Sequence, residues 1–152
     1  FMLVGFLYDR RHTRRISDFG GLKKSMPLYA GIFLFTSFAS IGLPGLNGFV
    51  GEFMILMGSF PSFKILSSIA AFGVVLAAIY MLWAYQRIFN GQLNNDENAV
   101  LTDLNSKELV AVGPLLILML FIGVYPSFVE SYIVNDVSII YDAINSLSGG
   151  LE

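Results

Sequence analysis

The stretch Leu43-Pro44-Gly45-Leu46-Asn47-Gly48-Phe49-Val50-Gly51-Glu52, LPGLNGFVGE, decides how this chain folds. Between Lys24 and Lys64 the one charged residue is Glu52. A continuous helix over that run, at 1.5 Å per residue, would reach about 60 Å, roughly twice the thickness of a bilayer core. The run is also too short for two straight crossings with a comfortable loop. Pro44 and Gly45 resolve the mismatch. Proline removes an amide donor and clashes with the preceding turn, and glycine lets the chain redirect. The pattern predicts a discontinuous transmembrane helix over 25–60, in halves at about Ser25–Ile41 and Asn47–Phe60, with Asn47 as N-cap of the second half.

On either side the chain alternates between spans and loops. The uncharged stretches Ile65–Gln86 and Leu109–Val129 are each long enough for one crossing, and predict spans over 65–87 and 109–129. The loop over 9–24 holds Arg10, Arg11, Arg14, Arg15, Lys23 and Lys24 against Asp9 and Asp18. The positive-inside rule makes it cytoplasmic. Counting crossings, the short turn at 61–64 faces the opposite side and the loop over 88–108 returns to the cytoplasm. Tyr80, Trp83 and Tyr85 beside Arg87 form an interfacial belt. Residues 131–147 carry Ile133, Val137, Ile140, Ile144 and Leu147 at helical spacing, which predicts an amphipathic helix stopped by Gly149-Gly150. It is acidic, so packing on protein is favoured over attachment to anionic lipid. At the other end, FMLVGFLY (residues 1–8) reads as the last turns of a span whose beginning is missing.

Composition agrees with an all-α integral membrane fold. Of 152 residues, 55% are hydrophobic and 13% charged, with mean hydropathy +0.69. A soluble domain carries about 25% charged residues. Net charge is −2, which gives nucleic-acid binding no support. The absence of Cys excludes disulfides and thiolate-bound metals, and a single His makes a metal cluster unexpected. The Walker A and GxSxG patterns are absent.

A carboxylate at bilayer depth costs about 2.5–3.5 kcal/mol on insertion scales. It either neutralises or stays ionised beside a cation or water. Both responses leave a group whose protonation is easily biased. Opened backbone at that depth is tolerated only when it is buried in protein or lines a watery cavity, and broken helices recur at transport sites. Glu52 is therefore expected to be functional, its ion not named by the residues alone, with Pro44, Gly45, Asn47, Gly48, Gly51 and Ser40 as helix-break or water-lining residues. Thr36 and Ser37 are weaker candidates. The alternative is a structural carboxylate bonded to a Ser, Thr or Lys of a neighbouring helix. Arg87 and Lys64 read as interfacial anchors, and His12 as a solvated loop residue.

Three segments, LYDRRHTRRISDFGGL (7–22), SFASIGLPGLNGFVGEFMILMGSF (37–60) and AAIYMLWAYQRIFNG (77–91), resemble the C-terminal part of the antiporter-like, subunit-M-type membrane proteins of proton-pumping NADH:quinone oxidoreductase, respiratory complex I. TDLNSKEL (102–109) is also similar. The resemblance implies a proton-translocating membrane-arm subunit without redox cofactors of its own, the flavin, iron–sulfur clusters and quinone being used in other subunits. It implies that Glu52 is the protonatable residue of a second half-channel, where related subunits carry lysine. The implied partners are other membrane-arm subunits, including antiporter-like paralogues, with the lipid bilayer and protons. The implied location is a bacterial inner membrane, or the mitochondrial inner membrane. A piece of this size is not expected to pump alone. A subunit of a multisubunit cation/proton antiporter and a structural membrane scaffold are the competing readings.

Overall fold

The computed structural model describes residues 1–93 and 95–148, and among them it is entirely helical and turn, with no strand. The helices are α1 (Met2–Arg11), α2 (Pro27–Ser40), α3 (Asn47–Ser59), α4 (Lys64–Phe89), the single turn α5 (Asp96–Ala99), α6 (Ser106–Val124) and α7 (Ser127–Ser148). A short 3₁₀ turn, Ile16–Asp18, lies between α1 and α2. The helices α4 and α6 are long and apolar enough to cross a membrane, and few of their residues are buried within the chain. At 1.5 Å per residue they reach about 39 and 28 Å, which spans a hydrocarbon core of about 30 Å fully or nearly so.

The sequence explains where each helix stops. His12 takes the left-handed conformation (φ 53°) that terminates α1, with its amide bonded to the Tyr8 carbonyl. Asparagine, aspartate and histidine are the side chains that tolerate this geometry best. Asn105 and Glu108 form a reciprocal capping box at the start of α6, each side chain accepting from the other's backbone amide at 2.9 Å. That helix ends at Val124, although the uncharged run continues to Val129. Pro126 disfavours helical geometry at Tyr125, which sits at φ −127°. The tail helix accordingly begins at Ser127. Ile133, Val137, Ile140 and Ile144 are exposed along it. The side chain of Leu147 and the expected glycine stop at 149–150 lie outside the described residues.

The buried core sits at one end of the bundle. Leu3 and Leu7 of α1, Tyr29 and Ala30 of α2, Tyr85 and Phe89 of α4, Leu104, and Val112 of α6 pack with Phe19, Leu22 and Met26 of the first long loop. The Phe89 ring lies 5.8 Å from Tyr29 and 5.0 Å from Phe33, spacings at which aromatic pairs attract. The Tyr29 hydroxyl donates to the Leu3 carbonyl at 2.7 Å.

Around this core the two long loops are clamped together. The Arg10 guanidinium forks onto the Glu108 carboxylate at 2.8 and 2.7 Å, and its remaining donors reach the Phe6, Thr102 and Asp103 carbonyls. Arg11 pairs with Glu97. The buried Asn98 amide donates to the Asp18 carbonyl at 3.0 Å. Backbone amides of Gly21, Leu22 and Lys23 bond to the Asn90, Ile88 and Phe89 carbonyls. Asp103, from the loop before α6, accepts the Leu28 and Tyr29 amides at 2.8 and 2.9 Å. It thereby satisfies orphan donors in the first turn of α2. The loops over 9–24 and 88–108 therefore share one face of the molecule.

Candidate functional site

The broken helix is built from two consecutive turns. After Ser40 the chain closes α2 with a Schellman motif: Leu43 N–H bonds to the Phe38 carbonyl at 3.0 Å and Gly42 N–H to the Ala39 carbonyl at 3.4 Å. Gly42 supplies the left-handed residue this motif needs, at φ 74°. The next four residues, Leu43–Leu46, form a β-turn closed by Leu46 N–H to the Leu43 carbonyl at 3.1 Å. Pro44 occupies its second position and Gly45, at φ 92°, its third, the requirement of a type II turn. Pro44 also stands four residues after Ser40, where a helix would need its missing amide.

This geometry corrects one expectation. Asn47 is the first residue of α3, and the N-cap is Leu46, extended at φ −117°, ψ 156°, with no side-chain cap. The type II turn is complete at Leu46, so the helix starts at Asn47, one position earlier than a capping Asn47 would require. The Asn47 Oδ1 atom is instead buried, without a hydrogen-bond partner among the described residues.

The two halves then fold against each other. A Cβ built on Gly48 would overlap the Ala39 carbonyl oxygen, with its carbon 3.2 Å away. The room left by Gly48 is thus filled by the end of α2. Glu52, one turn on from Gly48 and half-buried, folds its carboxylate over Gly42: a Cβ at Gly42 would meet Glu52 Cδ at 3.1 Å and its Oε2 more closely still. Sequence position alone gave no sign that Gly42 was part of the site. The charged group and the left-handed end of α2 are in direct contact.

A second element completes the site. Gly123, near the end of α6, lies so close to the break that a Cβ there would overlap the Gly45 carbonyl and the Leu46 Cα. By contrast Gly51 has open space around its Cβ position, and Ser40 is exposed. Thr36 and Ser37 donate to the Phe33 carbonyl at 2.9 and 2.7 Å, so their hydroxyls are engaged within α2. No hydrogen bond or ion pair to Glu52 occurs among the described residues. Arg87, at the far end of α4, stacks its guanidinium 4.5 Å from the Trp83 ring centre. His12 is exposed and meets Tyr8 edge-on at 5.9 Å. Among the described residues no three His, Asp or Glu side chains converge as a metal site.

Comparison with known proteins places the whole chain rather than the site. Residues 1–79 match the family described as "NADH:quinone oxidoreductase/Mrp antiporter, TM". The chain belongs to this family. It is an integral membrane protein, similar to antiporter-like subunits of respiratory complex I. One relative in the family is NADH-quinone oxidoreductase subunit M of Rhodobacter capsulatus, 44% identical over 133 residues, 88% of this chain and 26% of that protein. Another, NADH-ubiquinone oxidoreductase chain 4 of Arabidopsis thaliana, is 41% identical over 126 residues, 83% of this chain and 26% of the relative. A chain in the structure of respiratory complex I from Thermus thermophilus with bound NADH superposes with a TM-score of 0.74 at 34% identity, over 83% of this chain and 26% of that one. The chain thus spans about a quarter of the length of these family members.

Proposed function

We propose that this chain is the C-terminal part of a proton-translocating membrane-arm subunit of NADH:quinone oxidoreductase, and that Glu52 takes up and releases the proton in its second half-channel. The observation that carries this reading is the packing of the Glu52 carboxylate over Gly42 at the break. There the carboxylate meets backbone whose helical hydrogen bonding has stopped, and has no hydrogen-bonding or charged partner among the described residues. An ionisable group beside opened backbone at membrane depth more often belongs to an ion pathway than to a structural bond. The buried Asn47 Oδ1 at the start of α3 is an acceptor that water could meet, and exposed backbone at membrane depth belongs beside water or protein.

In this reading the proton reaches Glu52 through water at the break and neutralises it. A shift of neighbouring charge, in parts of the subunit beyond this chain, then expels it to the other side. Electron transfer occurs in other subunits, which hold the flavin, iron–sulfur clusters and quinone. The basic 9–24 loop, joined face to face with the 88–108 loop, supports a cytoplasmic location for that end. A bacterial inner membrane is the proposed location. Similarity to quinone oxidoreductase subunits favours that complex over a multisubunit cation/proton antiporter.

Glu52→Gln keeps the side chain's shape and removes its titration. In assembled complex carrying this change, protons moved per electron are expected to fall. Pumping equal to the parent's would refute the role of Glu52.

A further inference from the structure

We infer that Gly123 is a positioning residue for the Glu52 carboxylate, and that α6 is the strut through which it acts. The inference rests on the proposed role of Glu52, and its test separates the two. Two joints at the break bear on where the carboxylate lies, beside the packing of α3 along α6 and α4. The first is internal to the broken helix: the Ala39 carbonyl sits against Gly48, and Glu52 lies over Gly42. The second comes from outside it. Gly123 presses its bare Cα against the Gly45 carbonyl and the Leu46 Cα. Leu46 is the buried N-cap from which α3 starts. Glu52 stands six residues farther, about 9 Å along the helix axis. Whatever moves Leu46 therefore moves the start of the helix that carries the carboxylate.

The strut is fastened at its other end as well. Glu108, in the first turn of α6, is held by both prongs of Arg10 and by the capping box with Asn105. From Glu108 to Gly123 is about 22 Å of helix. With its near end locked in the loop clamp, α6 cannot slide freely to accommodate a larger residue at its far end. A methyl group at position 123 would meet backbone atoms on the other side, and backbone cannot swing away as a long side chain can. The contact opens by roughly an ångström, and displacements of that size near reacting groups can cost on the order of 100-fold in rate. Gly113, on the same helix, has no atom within 4 Å of its Cβ position and provides the matched control.

The experiment places Gly123→Ala and, separately, Gly113→Ala in the full-length subunit within the assembled complex. It reads protons moved per electron, uncoupled NADH oxidation, and the pH titration of the infrared carboxyl band that Glu52→Gln abolishes. The expected result for Gly123→Ala is a several-fold loss of protons per electron and a displaced titration midpoint, with Gly113→Ala unchanged in both. A purely structural role would lower the amount of complex and leave the midpoint where it was, and that outcome overturns the inference. If Gly123→Ala does not assemble, Leu46→Ala removes the buried side chain that seats the N-cap residue Gly123 touches, without inserting an atom. It too is expected to displace the midpoint, and an unmoved band overturns the inference. Loss of pumping in Glu52→Gln together with a parental band in Gly123→Ala rejects the positioning role alone. Parental pumping in Glu52→Gln rejects the reading beneath it.

Discussion

Removing the Arg10 fork is expected to weaken the assembled subunit more than the loss of an ordinary surface ion pair. The Arg10 and Glu108 side chains are only 13% and 15% exposed, and the two bonds between them are short and parallel. Exposed pairs contribute about 0–1 kcal/mol, whereas breaking a fully buried pair costs about 3–5 kcal/mol because one charge is left uncompensated. Partial solvent access at this loop face puts Arg10→Gln between the two, at about 2–3 kcal/mol. Arg10 also holds three backbone carbonyls, which lose their donor in the same variant. If the clamp opens before the subunit is lost, 2–3 kcal/mol corresponds to roughly a 30- to 150-fold faster thermal inactivation of the complex. The assay is the half-life of assembled complex in detergent at one fixed temperature. Arg10→Lys keeps the charge and loses the planar fork, so it should fall between the parent and Arg10→Gln. Combining Arg10→Gln with Glu108→Gln removes both charges, and a double-mutant cycle should then show a coupling within about 0.5–3 kcal/mol. A half-life within twofold of the parent for Arg10→Gln, with no coupling, would refute the clamp.

Two further outcomes test the loop face. Asp103→Ala strips the first turn of α2 of its cap and should cost about 1–2 kcal/mol, read as faster thermal inactivation, with Asp103→Asn retaining part of the effect. The Thr13 hydroxyl donates to Asp18 at 2.6 Å and is the main reason that the Asp18 carboxyl sits below the usual aspartate range, with Ser17 and the Arg15 and Arg11 charges assisting. Because that value is lowered on folding, the stabilisation is present above the ordinary aspartate range and lost as pH falls through the lowered value. Thr13→Ala should move the Asp18 titration midpoint upward, followed by its carboxylate infrared band, and an unmoved midpoint would reject the assignment.

The expected halves at 25–41 and 47–60 differ from α2 and α3 by no more than two residues at any end. Proline, glycine and the limit set by bilayer thickness act locally, so such boundaries are legible in sequence. What resisted reading was partly the exact geometry of a local turn and partly long-range contact. Gly42 looks like any other glycine until the Schellman bonds identify it as the residue that closes α2. Asn47 has the right side chain for a cap, but the turn before it is complete at Leu46. Gly123, Asp103 and Glu108, the ionic partner of Arg10, reach segments 74 or more residues away, and no periodicity connects them. The carboxylate was visible as a charge in an apolar run, while the group beneath it was not.

The loop clamp also has a consequence for the order of events during synthesis. Arg10 and Arg11 precede Glu108 and Glu97 by 98 and 86 residues. At translation rates of about 5–20 residues per second, their partners emerge roughly 5–20 s later. During that interval the basic loop keeps its full charge, which is when positive charge sets the orientation of the segments beside it. Only afterwards do the two carboxylates arrive and neutralise part of it. On the proposed topology, the same arginines would serve first in orienting the chain and later in binding its two loops together.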